Sequence, residues 1–316
     1  MSLLEKYYTI IIFLAVITGI SLGQFDWFRI HLVALIVPLL VAMLYLTFLQ
    51  IPFKDLKKAF KNISFTYTSL IMNFVWAPIL AWLLAMVFLG NHPALYIGFI
   101  MLMVTPCTDW YLIFTGIAKG NVALSTAILP LNLILQVLLL PVYLLIFGGT
   151  SGVIEPVYLL ESVGIVLLVP LALAIITKKI ISNEERRERF IIKVGPFPIL
   201  FLSLAIVAMF ASQGHLLMDN LELILQISIP LLLFFVINFF VGQKIGSLMG
   251  FSLPDRASFS LTTLARNSPL ALAIAMTAFP DEPLIALTLV IGPLLELPIL
   301  AVISRVLLFF HQRSTV

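Results

Sequence analysis

Charge is what this chain has least of. Its 316 residues include 18 Lys/Arg and 15 Asp/Glu, or 10%, against about 25% in ordinary soluble domains. With 62% hydrophobic residues it cannot clothe itself in polar surface, which excludes a water-soluble globule and makes the lipid bilayer its solvent. A net charge of only +3 gives no reason to invoke a nucleic-acid partner. Cys107 is the single cysteine, so an intramolecular disulfide is impossible. His31, His92, His215 and His311 have no metal-ligand spacing, and no nucleophile triad, phosphate loop or zinc motif occurs. No cofactor is called for, and an enzyme is not expected.

What is abundant is apolar sequence in runs near the roughly 20 residues that span a bilayer. Ten occur, at 7–23, 30–49, 65–89, 94–118, 121–147, 155–177, 191–213, 222–243, 257–279 and 284–310. The flank of the first run has one Lys and one Glu, and no small-residue cleavage pattern follows Gly23, so an uncleaved helix is expected. With the amino terminus inside, 16 of the 18 Lys/Arg fall in inner segments and only Arg29 falls outside. That asymmetry predicts a multi-pass plasma- or inner-membrane protein with both termini cytoplasmic. The basic residue left over is Arg266. The longest polar stretch, Lys178 to Lys193, reads as a solvated connector.

The chain divides near residue 150, with five runs on each side. An odd number per half requires any repeat to be inverted across the membrane. Weak echoes support one: Asn73-Phe74-Val75 with Asn238-Phe239-Phe240, and Pro130-Leu131-Asn132-Leu133 with Pro293-Leu294-Leu295-Glu296-Leu297. The fold class expected is all-α integral membrane, with ten helices in two inverted five-helix repeats.

The fourth and ninth runs are broken at matching places, Thr105-Pro106-Cys107-Thr108-Asp109 and Ala265-Arg266-Asn267-Ser268-Pro269. Pro106 lacks an N–H and pushes Thr105 out of helical geometry, so a half-helix should end there. Thr108 or Asp109 is placed to cap a second half-helix, as is Ser268 ahead of Pro269. Freed backbone at membrane depth is tolerated only where it is packed in protein or lines a cavity. Matching interruptions therefore point to a transporter's binding site, against the simpler reading of two proline kinks. Asp109, Arg266 and Glu296 are the ionisable residues at that depth. If the breaks cross, Asp109 and Arg266 are placed to neutralise each other, either as a structural pair or as part of the transport machinery. Glu296, between Pro293 and Pro298 with no basic residue near it in sequence, is suited to exchanging a proton near neutral pH. Cys107 is either a small buried hydrophobe or a soft ligand. Asn73, Asn132, Gln136, Asn238 and Asn267 either line a cavity or bond neighbouring helices.

Val104-Thr105-Pro106-Cys107-Thr108, followed by Gly116-Ile117-Ala118-Lys119-Gly120-Asn121-Val122-Ala123-Leu124-Ser125, resembles the bile acid:sodium symporter superfamily. The Pro-Cys-Thr turn and Gly292-Pro293-Leu294-Leu295-Glu296-Leu297-Pro298 are similar to its arsenite exporter branch. The resemblance implies a panel domain of helices 1, 2, 6 and 7 (1–64 and 151–221). It also implies a core domain of helices 3–5 and 8–10 (65–150 and 222–316). It makes Cys107 and Glu296 the functional pair. The chain departs from the sodium symporters at Trp110 and Tyr111, where they have small polar ligands, and at Arg266, where they have glutamine. A fixed guanidinium repels sodium and replaces its charge, so sodium-independent transport is expected. Asp109 and Arg266 are also departures from the arsenite exporters.

The function expected is proton-coupled efflux of arsenite or a related small oxyacid. Cys107, Thr108, Asp109, Asn132, Arg266, Asn267 and Ser268 would bind substrate, and Glu296 would exchange the proton. The alternatives are a carrier of an organic carboxylate, with Arg266 as its bidentate partner, and a non-transporting receptor or scaffold on the same fold. The expected partners are a small-molecule or metalloid oxyacid, protons and the lipid bilayer.

Overall fold

The computed structural model describes residues 8–52, 60–108, 110–148, 156–219 and 221–313. Among these residues the regular elements are all helices, with no β-strand. Seven helices are long and apolar enough to cross a membrane. Many large apolar side chains are exposed, among them Val87, Ile146, Phe240 and Val302, the reverse of a soluble surface. The protein is an all-helical integral membrane protein.

The chain forms two compact units. The first comprises Met1–Ile51, Ile154–Leu225 and Pro269–Leu294. It contains α1 (Tyr8–Leu22), α2 (Asp26–His31), α3 (Val33–Gln50), α8 (Val157–Ile180), α9 (Glu184–Val194) and α10 (Phe197–Asp219). The α10 helix packs along both α1 and α3. Its contact with α1 needs glycine: a Cβ on Gly19 would lie 2.6 Å from Phe210 Cβ, and one on Gly23 2.6 Å from the Ala211 carbonyl oxygen. Small residues four apart let helix backbones approach in lipid, where no hydrophobic effect drives them together. The α8 helix lies along α3, and Lys178 Nζ donates to the carbonyls of Phe48 (3.3 Å) and Ile51 (2.8 Å) at the α3 C-terminus.

Much of the stretch expected to be a solvated connector is helical. Asn183 caps α9 by accepting from the Arg186 N–H at 3.0 Å, and Glu184 and Glu185 occupy the first turn, where the helix dipole favours acids. No residue of α9 is buried, so its solvation agrees with its composition.

The second unit comprises Pro52–Val153, Gln226–Ser268 and Leu295–Val316. It holds α4 (Ile63–Leu89), α5 (Pro93–Met103), α6 (Tyr111–Ile117), α7 (Val122–Gly148) and α12 (Leu253–Leu264). It also holds most of α11 (Leu221–Leu248) and the later part of α14 (Pro283–Arg313); α13 (Ser268–Ala278) starts at its edge. A π-turn at Met72–Trp76 interrupts α4 just before Pro78. Proline lacks the N–H that would reach back four residues, which frees the Phe74 carbonyl, and Tyr143 Oη donates to it at 2.5 Å. The π-turn brings Asn73 to full burial and carries Trp76, whose Nε1 donates to Asn238 Oδ1 at 3.2 Å.

Candidate functional site

Both sequence breaks are real, and they meet. The α5 helix stops at Met103 and α6 starts at Tyr111; α12 stops at Leu264 and α13 starts at Ser268. Within the two breaks Pro106 and Arg266 form an isolated antiparallel bridge. Cys107 N–H donates to the Ala265 carbonyl at 2.9 Å, and Asn267 N–H donates to the Thr105 carbonyl at 2.7 Å. In this arrangement the N–H groups of the two bridged residues face away from the pair. Proline fits at 106 because it has no such group to satisfy. At 266 the outward N–H is taken by Glu296 Oε1 at 2.8 Å.

Each half-helix that ends here should present four carbonyls without helical partners. Every one of them has a donor. In α5, Val104 N–H serves Ile100 at 3.0 Å, Thr105 Oγ1 serves Met101 (2.9 Å) and Leu102 (3.0 Å), and Arg266 Nη1 serves Met103 at 2.9 Å. In α12, Ala265 N–H serves Leu261 at 3.1 Å and Asn73 Nδ2 serves Thr262 at 3.4 Å. Thr263 receives Asn238 Nδ2 at 2.5 Å together with Arg266 Nη2, and Leu264 receives Arg266 Nε at 3.1 Å. The guanidinium is thus shared between two helix C-termini, each worth roughly −0.5 elementary charge. Its carbon lies 5.0 Å from the centre of the Phe234 ring, and Arg266 is fully buried. This is the solution that lipid depth requires: an obligate cation anchored by protein carbonyls.

The sequence-predicted residues fall mostly in one place. Cys107, Thr108, Arg266, Asn267, Ser268 and Glu296 are all buried at the crossing. Asn132 stands one bond away, its Oδ1 facing Asn73 Nδ2 at 3.5 Å, and the same Nδ2 reaches the Thr262 carbonyl. Asp109 lies outside the described residues. Two local expectations are corrected. Thr108 does not cap α6: the N-cap is Trp110, without a side-chain cap bond, and Thr108 Oγ1 accepts from Asn267 Nδ2 at 3.1 Å. Ser268 is itself the first helical residue of α13, one position later than a cap. Glu296 looked solitary because Arg266 is 30 residues away in sequence; the fold brings the two together. By sequence, Asn73 and Asn238 either line a cavity or bond neighbouring helices, and here they bond the Thr262 and Thr263 carbonyls. Thr105 and Phe234 were not singled out as site residues; Thr105 carried a signal, a hydroxyl beside Pro106, but Phe234 carried none. A separate 350 Å³ groove between α11 and α14 is lined by Phe235, Phe239, Phe240, Pro298 and Val302, and suits lipid tails rather than polar cargo.

The sequence profile of the Sodium Bile acid symporter family matches residues 37–220, more than half of the chain. The protein belongs to this family. Among its relatives, the arsenical-resistance protein Acr3 of Corynebacterium glutamicum is 27% identical over 324 aligned positions, covering 95% of this chain and 87% of that protein. Acr3 of Alkaliphilus metalliredigens is 23% identical, covering 96% and 91%. The uncharacterized transporter slr0944 of Synechocystis is 25% identical, covering 97% and 88%. Membership and relatives together make the chain a multi-pass membrane transporter of a small molecule.

Proposed function

We propose that this family member is a sodium-independent, proton-coupled exporter of arsenite or a related small oxyacid, acting in the plasma or inner membrane. The observation that carries the reading is the Arg266 guanidinium on the C-terminal carbonyls of α5 and α12. Those oxygens are hard ligands suited to an alkali cation, and a tethered cation already satisfies them. Glu296 is, among the described residues, the carboxylate that contacts the crossing, through the N–H of Arg266. Loading or unloading its proton changes the charge of a buried site next to a fixed cation, which is how a proton couples to cargo. Cys107 offers a thiol, the soft donor that trivalent arsenic favours. Thr108, Asn132, Asn267 and Ser268 offer hydrogen bonds to its hydroxyls.

In this reading the chain works as ten crossings in two inverted repeats. Residues 1–64 and 151–221 form a panel, residues 65–150 and 222–316 form a core, and both termini are cytoplasmic. The antiparallel pairing of the two breaks supports it. A carboxylate carrier would need guanidinium donors facing cargo, whereas three of the five N–H groups of Arg266 already serve protein carbonyls. Competition in proteoliposomes tests the cargo. Arsenite and antimonite should compete for flux and organic acids should not, and Cys107→Ser should weaken arsenite selectively. Competition by organic acids with no effect from Cys107→Ser would refute the assignment.

A further inference from the structure

The second unit contains a polar file, most of whose polar atoms the crossing leaves unused. Helices α4, α7 and α12 pack against one another, and their starting ends lie together. Asn121 at the head of α7 donates through N–H to the Pro254 carbonyl (3.1 Å) and through Nδ2 to Asp255 Oδ1 (2.8 Å) in the first turn of α12. The ring of Phe65 in the first turn of α4 lies 5.8 Å from that of Phe251 and 6.2 Å from that of Phe259. The three helices therefore run parallel. Each carries a pair of buried polar side chains at i, i+4 spacing, so that each pair lies on one face of its helix: Ser69 and Asn73, Asn132 and Gln136, Ser258 and Thr262.

The contacts among Asn73, Asn132 and Thr262 put those three at one level. Ser69 and Ser258 lie one turn nearer the starting ends, and Gln136 one turn beyond. The file is about 11 Å long, roughly a third of the hydrocarbon thickness. All six side chains are buried to 1% exposure or less. Among the described residues, seven of their polar atoms have no hydrogen-bond partner: Ser69 Oγ, Asn73 Oδ1, Asn132 Nδ2, both Gln136 termini, Ser258 Oγ and Thr262 Oγ1. Buried polar atoms are normally satisfied, and a run of them along one seam marks a place that something fills. The neighbouring core is apolar (Phe65, Met72, Ile128 and Phe259), so the polarity is confined to the seam.

The kinds of atom select the occupant. Asn73 Oδ1 and Gln136 Oε1 only accept, Asn132 Nδ2 and Gln136 Nε2 only donate, and the hydroxyls do both. A metal cation would satisfy the acceptors alone and an anion the donors alone, and no charged side chain lies in the file to offset either. A molecule carrying neutral O–H groups satisfies both kinds. We propose that this file binds small uncharged O–H molecules, drawn from solvent water or from the undissociated oxyacid cargo. Only the second source rests on the export reading above.

The test is radiolytic labelling of the full chain in lipid nanodiscs in oxygen-18 water, read at Met72, beside Asn73, with buried Met209 of the first unit as the dry reference. Expected is label at Met72 but not at Met209, lost in Gln136→Leu and Asn132→Leu. Suppression of the label by arsenous acid identifies cargo as an occupant; label unaffected by it leaves water as the occupant. The proposal is overturned if Met72 is as silent as Met209 while both leucine variants melt above the parent, as a dry seam relieved of orphaned polar atoms should. Label persisting in both variants overturns it equally. Wild-type vesicles without arsenite flux but with Met72 labelled would remove the export reading and leave the file.

Discussion

Replacing Arg266 by glutamine removes the guanidinium while keeping a polar side chain of similar reach. Three carbonyls then lose a donor, but not equally. Thr263 keeps Asn238 Nδ2, whereas the Met103 and Leu264 carbonyls lose the donor that serves them. Leaving a buried acceptor unsatisfied costs about 1–3 kcal/mol, so the pair amounts to about 2–6 kcal/mol, a large part of a typical total of 5–15 kcal/mol. Loss of the ring contact with Phe234 adds to this. The vacated oxygens are those of two helix C-termini, so a free cation should recover part of the loss. A ligand present at 100 times its Kd restores about 2.7 kcal/mol. The assay is thermal unfolding of the purified protein in sodium chloride and in choline chloride at equal ionic strength. Wild type should melt at the same temperature in both. Arg266→Gln should melt several degrees lower in choline and regain part of the difference in sodium. A variant as stable as wild type, or a wild type that sodium stabilises equally, would refute the reasoning.

Four further outcomes follow from the packing. Glu296→Gln keeps an oxygen that accepts the Arg266 N–H, so it should fold like the parent and lose pH-driven transport while retaining cargo binding; normal pH-driven flux in reconstituted vesicles would remove Glu296 from coupling. Gly19→Val forces a side chain to within 2.6 Å of Phe210 Cβ and should destabilise the α1–α10 contact by at least about 1–3 kcal/mol, read as a lower melting temperature. Gly116→Ala, where a Cβ meets nothing within 4 Å, should be neutral or stabilising by up to about 1 kcal/mol. Tyr143→Phe orphans the Phe74 carbonyl released by Pro78 and should cost about 1–3 kcal/mol, seen as faster amide exchange around the π-turn.

The broad architecture was legible because the bilayer imposes length and apolarity on every span. The breaks were legible because proline and charge are costly at that depth, and so conspicuous. The carbonyl partners of Arg266 were not. Three N–H groups of its guanidinium serve backbone carbonyls, and a sequence carries no sign of a carbonyl's direction; Asp109, the carboxylate expected beside it, lies outside the described residues. Glu296 was conspicuous as a carboxylate in an apolar run, but its attachment to a backbone N–H depends on which face of a two-residue bridge Arg266 turns outward. The solvated character of the connector was legible from its charge, whereas its helical form at 184–194 rests on Asn183 followed by Glu184 and Glu185, which is a helix start. The polar file escaped notice because each residue looks like ordinary interhelical glue, and only the parallel packing of three helices brings the pairs level.

Transport driven by an imposed pH gradient in proteoliposomes, with sodium wholly replaced by choline, tests the central claim most directly. If the Arg266 guanidinium fills the place of a coupling cation, arsenite flux in choline should equal flux in sodium and collapse when the pH gradient is dissipated. Flux that needs sodium, or that ignores the pH gradient, would contradict it.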